Sequence, residues 1–122
     1  MQYWYEKDWF MRQIMLLTAA IAKIVFGKDA AAYEILDDAN KTETDELYLC
    51  LLRLIGEGKI NEAEELLFQA LRPDHQDVLL VALDFYQRLN TLGDDELAQK
   101  NFSRQEILEG LREVEKLYGL SL

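Results

Sequence analysis

The stretch from Thr44 to Pro73 constrains the fold most. Within it, Ile60, Ala63, Leu66, Leu67, Ala70 and Leu71 recur at the three-and-four spacing that puts them on one side of a 3.6-residue helix. Asn61, Glu62, Glu64, Glu65 and Gln69 take the other side, toward water. Arg72-Pro73 ends this helix, because proline disfavours the α conformation in the residue before it. Upstream, Leu47, Leu51, Leu54 and Ile55 form one stripe, and Tyr48 and Leu52 widen it beyond what a single neighbour covers. Gly56-Glu57-Gly58-Lys59 makes a tight turn between the two runs. The spacing predicts an antiparallel helical hairpin over residues 44–72. Its apolar faces exceed what the two arms can bury against each other, so flanking segments must pack on it.

Gly58-Lys59-Ile60-Asn61-Glu62-Ala63, with Ala70-Leu71 seven residues on, resembles the second half of a tetratricopeptide repeat, whose small residues let two helices approach closely. Leu47, Cys50, Leu51 and Leu54 stand where that repeat prefers Trp, Leu, Gly and Tyr, and Pro73 comes two residues before the repeat's proline. The resemblance covers about a quarter of the chain, given the ~34-residue repeat period. It implies that Asp45, Tyr48 and Leu52 on the first arm face a protein or peptide ligand. The whole chain, from Tyr5-Glu6-Lys7-Asp8 with Met11-Arg12 onward, also resembles a small bacterial family of unknown function, which implies no activity.

Tyr3 to Phe26 reads as one long helix, ended by Gly27 as a C-terminal cap. Trp9, Phe10, Met11, Ile14, Met15, Leu16, Leu17, Ile21, Ile24, Val25 and Phe26 cover well over half its circumference, so one face meets the domain and another needs different cover. Three uses are open: a central core helix, a homodimer seam and a membrane-surface anchor, of which the first two can coexist. A seam would use Trp4, Trp9, Phe10, Ile14, Leu17 and Ile21. Arg12 and Lys23 lie about three turns apart on one side, where they flank an anion or pair with acids of another helix.

Asp29 is a natural N-cap for a short helix through Ala39, with Tyr33, Leu36 and Ala39 as its stripe. Thr42 or Thr44 then caps the first hairpin arm. After Pro73, Asp74-His75-Gln76-Asp77 makes a turn and a cap. Residues 77–92 form a helix with two apolar stripes, through Val78, Ala82, Phe85, Leu89 and Leu92 and through Leu79, Leu83 and Tyr86. A short turn around Leu97 leads to a last helix over 103–118, where Ser103 and Glu106 have the spacing of a capping box. No stretch alternates with period two for long enough to make a strand. The expected class is all-α: a single-domain, tetratricopeptide-like antiparallel bundle of about five or six helices over residues 1–122.

At 122 residues the chain fits one domain with one core. A formal charge of −10 makes phosphate backbones and anionic lipid poor partners, since clustered Lys and Arg supply the attraction in both cases. Nucleic acid is therefore not expected. A single cysteine, Cys50, rules out an intrachain disulfide and fits a reducing compartment. The apolar run from Ile14 to Phe26 lacks the leading basic region of a signal peptide and the ~20 apolar residues of a span. The expectation is a mature cytoplasmic protein with no membrane span.

No Gly-rich phosphate cradle, nucleophile elbow or Cys-x-x-Cys appears. His75, between Asp74 and Asp77, has no second His or Cys to complete a ligand set, and Asp94-Asp95-Glu96 lacks the order of a calcium loop. No metal, cofactor or catalytic residue is expected. The leading expectation is a non-enzymatic protein interaction or scaffold module, a homodimer with an unknown protein partner. The alternative is a binder of a small apolar or anionic ligand in a pocket beside the first helix.

Overall fold

The computed structural model describes residues 2–122, with side chains described from Asp8 onward. In chain order the helices are α1 (Gln2–Ile21), α2 (Glu43–Gly56), α3 (Ile60–Ala70), α4 (Gln76–Asn90), α5 (Asp94–Gln99) and α6 (Arg104–Leu117). No strand occurs among the described residues. The six form one all-α domain with α4 at its centre, touching α1, α2 and α6, while α1 also lies along α6 and α2 along α3. The centrality of α4 follows from its two apolar stripes: Val78, Leu79, Val81, Ala82, Leu83, Phe85, Tyr86 and Leu89 are all buried.

The hairpin forms where the spacing predicts it. Gly58 adopts φ 78, and the Lys59 amide reaches back to the Leu54 carbonyl at 2.8 Å. That six-to-one bond is the Schellman closure, which needs a residue without a Cβ penalty at its left-handed position. Ile60, Ala63 and Leu67 carry the buried side of α3. Thr42, rather than Thr44, caps α2: its hydroxyl accepts from the Asp45 amide and its own amide donates to the Asp45 carboxylate. The Ser103–Glu106 capping box starts α6 as its spacing requires.

Two expectations are corrected. The first helix does not stay α-helical to Phe26; its last turn, Ala22–Phe26, widens to a π turn before Gly27 closes it at φ 67. Residues 29–39 form no helix. An eleven-residue helix is marginal without packing, and Leu36, the centre of its supposed stripe, is 89% exposed. The segment is held instead by bonds to other elements: the Tyr33 amide donates to Asp84 on α4 at 2.9 Å, and the Tyr33 hydroxyl to Asp45 on α2 at 2.5 Å.

Candidate interaction surface

The first helix has two faces of opposite use. Ile14, Thr18 and Ile21 are buried in the chain's own core, where α1 meets α4 and α6. The Asn90 side-chain amide, at the C-terminal end of α4, donates to the Met11 carbonyl at 3.2 Å and ties that end to the middle of α1. On the opposite face, Trp9 is 47%, Leu16 58%, Met15 61% and Ile24 61% exposed. Phe10 and Leu17 lie between the faces, half-buried, and Trp9 meets Phe10 edge-on at 5.1 Å. Of the expected seam residues, Ile14 and Ile21 are therefore corrected to core positions, because their surface is already consumed inside the chain. Trp9 stands on the open face, and Trp4 lies outside the described side chains.

Asp8–Phe26 is the one described stretch long and apolar enough to cross a membrane by length and composition. Arg12 and Lys23 are both exposed on the outer face of this helix. Eleven residues separate them by about 16 Å of helix axis, so they do not converge on one anion. Lys23 pairs instead with Asp29 at 3.6 Å.

The positions that the repeat resemblance assigns to a ligand turn inward. Asp45 and Tyr48 are buried, and Leu52 is half-buried. Asp45 is spent on the α2 cap and on the Tyr33 hydroxyl. That bond from Tyr33, together with the Thr42 amide, holds its carboxyl below the usual carboxylate range. Burial and the same carboxylate push the Tyr33 phenol up to about 12. Tyr48 stacks on Tyr33 with ring centroids 4.9 Å apart. Its hydroxyl donates to Asp84 at 3.3 Å and accepts from Arg88 at 2.7 Å, and the Arg88 Nε closes the cluster on Asp84 at 2.6 Å. Burial raises the Tyr48 phenol, while the Arg88 bond pulls it back. This cluster fastens the 28–42 segment to α2 and α4. Its groups bond one another, so Asp45 and Tyr48 are structural positions here.

Sequence reasoning missed both buried charges on α4 and α6. Asp84 carried a signal, since it interrupts the apolar run Val78 to Phe85 with Arg88 one turn on. Arg104 carried none. Its buried guanidinium donates to the Asn90 and Leu92 carbonyls at 2.8 and 2.6 Å and to Asp94 at 2.9 Å. One side chain thus satisfies the open carbonyl end of α4 and locks it to the start of α5.

A model of DUF6483, a family of unknown function, matches residues 4–119. The chain belongs to that family. Neither a curated protein nor a solved structure matches it. The DUF6483 match runs through α1 as well as the hairpin, so the shared unit is the whole domain and not the half-repeat.

Among the clefts of this DUF6483 domain formed by described residues, two lie beside the helices named above. One, of about 640 Å³, lies between the starts of α2 and α4 and the end of α3, lined by Thr42, Thr44, Arg72, His75 and Asp77 among others. Thr44 donates to Asp77 across it at 2.5 Å, and the His75 carbonyl accepts from Tyr118 at 2.8 Å. The other, of about 280 Å³, runs between α1 and α6 past Gln13, Leu16, Leu17, Leu108 and Arg112. Among the described residues no three His, Cys, Asp or Glu side chains gather as metal ligands.

Proposed function

We propose that this chain is a non-enzymatic interaction module that docks a protein on the outer face of α1. One observation carries the reading: Trp9, Met15, Leu16 and Ile24 stand open on one side of a helix whose other side is core. Large apolar residues scattered singly on a surface are ordinary, but four on the outer side of one helix gather more apolar surface than scatter does, and such gatherings mark docking sites. Tryptophan is also the residue type most enriched at interface hot spots. The tetratricopeptide-like character of α2 and α3 belongs to this reading as scaffold, supported by the Gly58 closure and the wholly buried Ala63. A cytoplasmic setting belongs to it too, supported by the free thiol of Cys50.

The test is a photo-crosslinking residue at Leu16, with the same residue at the exposed Gln87 on α4 as control, activated in the producing cell. Adducts from position 16 well above those from position 87 are expected. Equal adducts from both positions, or none from 16 in a folded protein, contradict the proposal.

The cleft between α1 and α6 favours a second reading, a small ligand held beside α1. Leu16, Leu17 and Leu108 line it with Gln13 and Arg112, the apolar wall with a few polar groups that ligand pockets present. A co-purified small molecule displaced by Leu108→Trp would support it.

A further inference from the structure

The open stripe of α1 is complementary to itself. Its exposed members are Asp8, Arg12, Met15, Leu16 and Ala19, with Lys23 on the π turn that continues the helix and Trp9 and Ile24 beside them. Let a second copy of the helix lie antiparallel on the first, about a two-fold axis at the midpoint of Met15 and Leu16. Each position then faces the one equally far from that midpoint on the other side. Met15 faces Leu16, Arg12 faces Ala19, and Asp8 faces Lys23. Every one of the six meets another member of the same stripe, and the two ends bring acid against base twice over by symmetry. The small side chain of Ala19 leaves room for Arg12. A parallel pairing would instead set Asp8 against Asp8 and Lys23 against Lys23.

We infer that the occupant of this surface is a second copy of the same chain, its α1 antiparallel to the first, with Asp8 of each copy against Lys23 of the other. The inference rests on the reading of α1 as the docking face and adds the partner and the register. Lys23 is free to take this role: its bond to Asp29 joins two side chains that are 68% and 97% exposed, and an open pair of that kind exchanges at little cost. A bilayer is the poorer occupant. The same helix buries Ile14, Thr18 and Ile21 in the domain, and a net charge of −10 is repelled by anionic headgroups. From Asp8 to Lys23 the stripe spans about 22 Å of helix axis, a small seam beside the standard size of a stable interface.

The experiment uses the whole chain in a Cys50→Ser background, with Asp8→Cys and Lys23→Cys variants oxidised separately and as a mixture. In the antiparallel register the two copies' position-8 atoms lie about 22 Å apart, beyond disulfide reach, so neither variant alone cross-links efficiently. The mixture is expected to give the 8-to-23 disulfide as its main dimer. Without cysteines, Asp8→Lys and Lys23→Asp are each expected to raise the dimer dissociation constant roughly tenfold, the change being doubled by symmetry, and the double reversal to restore it.

A dominant 8-to-8 disulfide overturns the register while leaving the docking face intact. A light-scattering mass of one chain at about 100 μM overturns self-pairing; the adducts from position 16 then decide the docking face separately. A two-chain mass that survives Leu16→Glu overturns the place of the pairing on α1, and one that appears only with added lipid vesicles overturns the self-pairing.

Discussion

Tyr86 donates its hydroxyl to Glu64 across 2.6 Å, and the bond passes directly over the α-carbon of Gly110. Three helices, α4, α3 and α6, meet at that point. A glycine in a helix interior costs about 1 kcal/mol relative to alanine, yet α6 needs one here. A Cβ at position 110 would sit under 3.0 Å from both the Tyr86 and the Glu64 oxygens.

Gly110→Ala is therefore expected to destabilise the domain by about 1–3 kcal/mol, against the sign that helix propensity alone predicts. Tyr86→Phe removes the nearest atom, so the double variant should be more stable than the two single losses added together. Chemical denaturation of the four proteins checks this, and additive losses would separate Gly110 from the bond.

Glu64 makes stability depend on pH in an identifiable direction. Burial raises its carboxyl above the ordinary value, the Tyr86 hydroxyl pulls it back, and Glu106 and Glu109 push it up further. A raised value in the fold means that the protonated acid fits better. The associated stability is present below the ordinary carboxyl value and is lost as pH rises through the folded one. The melting midpoint of Glu64→Gln is expected to gain on the unaltered chain between about pH 4 and pH 7. A gap that stays constant across that range would mean that Glu64 does not titrate differently in the fold.

Tyr33 is the tether of the irregular segment, and Asp45 its anchor. The Asp45 carboxyl is lowered, so the stability it brings is present above the ordinary carboxylate value and is lost as pH falls through the lowered one. Tyr33→Phe should leave the helical circular dichroism unchanged while trypsin cuts faster after Lys28 and Lys41. Unchanged cleavage would show that the segment is held by something else.

Arg104→Lys keeps the charge but cannot span Asn90, Leu92 and Asp94 together. Because the guanidinium is buried, the expected loss is about 3 kcal/mol, a fall in melting midpoint of about 10 °C. A change of under two degrees would show the lysine reaching the same acceptors.

What the residue pattern revealed and what it hid have one physical cause. Periodicity reports burial of apolar faces, so the hairpin over Glu43–Gly56 and Ile60–Ala70, the doubly striped α4 and the box-capped α6 were legible. It treats every charge as solvated, so the buried bonds of Asp84 and Arg104 were not. The helix expected over residues 29–39 failed for the same reason: the partners of Tyr33 lie 51 residues away at Asp84 and 12 away at Asp45, outside any local window. Asp45 and Tyr48 were assigned to a ligand by the repeat resemblance, which carries no sign that Tyr33 bonds the one and stacks on the other. Half of the candidate surface was legible: α1 was too apolar for one face to bury, but which face stays open depends on where α4 and α6 lie.

Leu16→Glu tests the division of α1 into a core face and a docking face most directly. Light scattering at about 100 μM, with the melting midpoint measured on the same samples, is expected to give two chains for the unaltered protein. The variant should give one chain with its midpoint within about two degrees, as a surface substitution allows. A variant that keeps the mass of the unaltered protein, or melts as early as Ile14→Ala with its expected loss of about 3 kcal/mol, would contradict it.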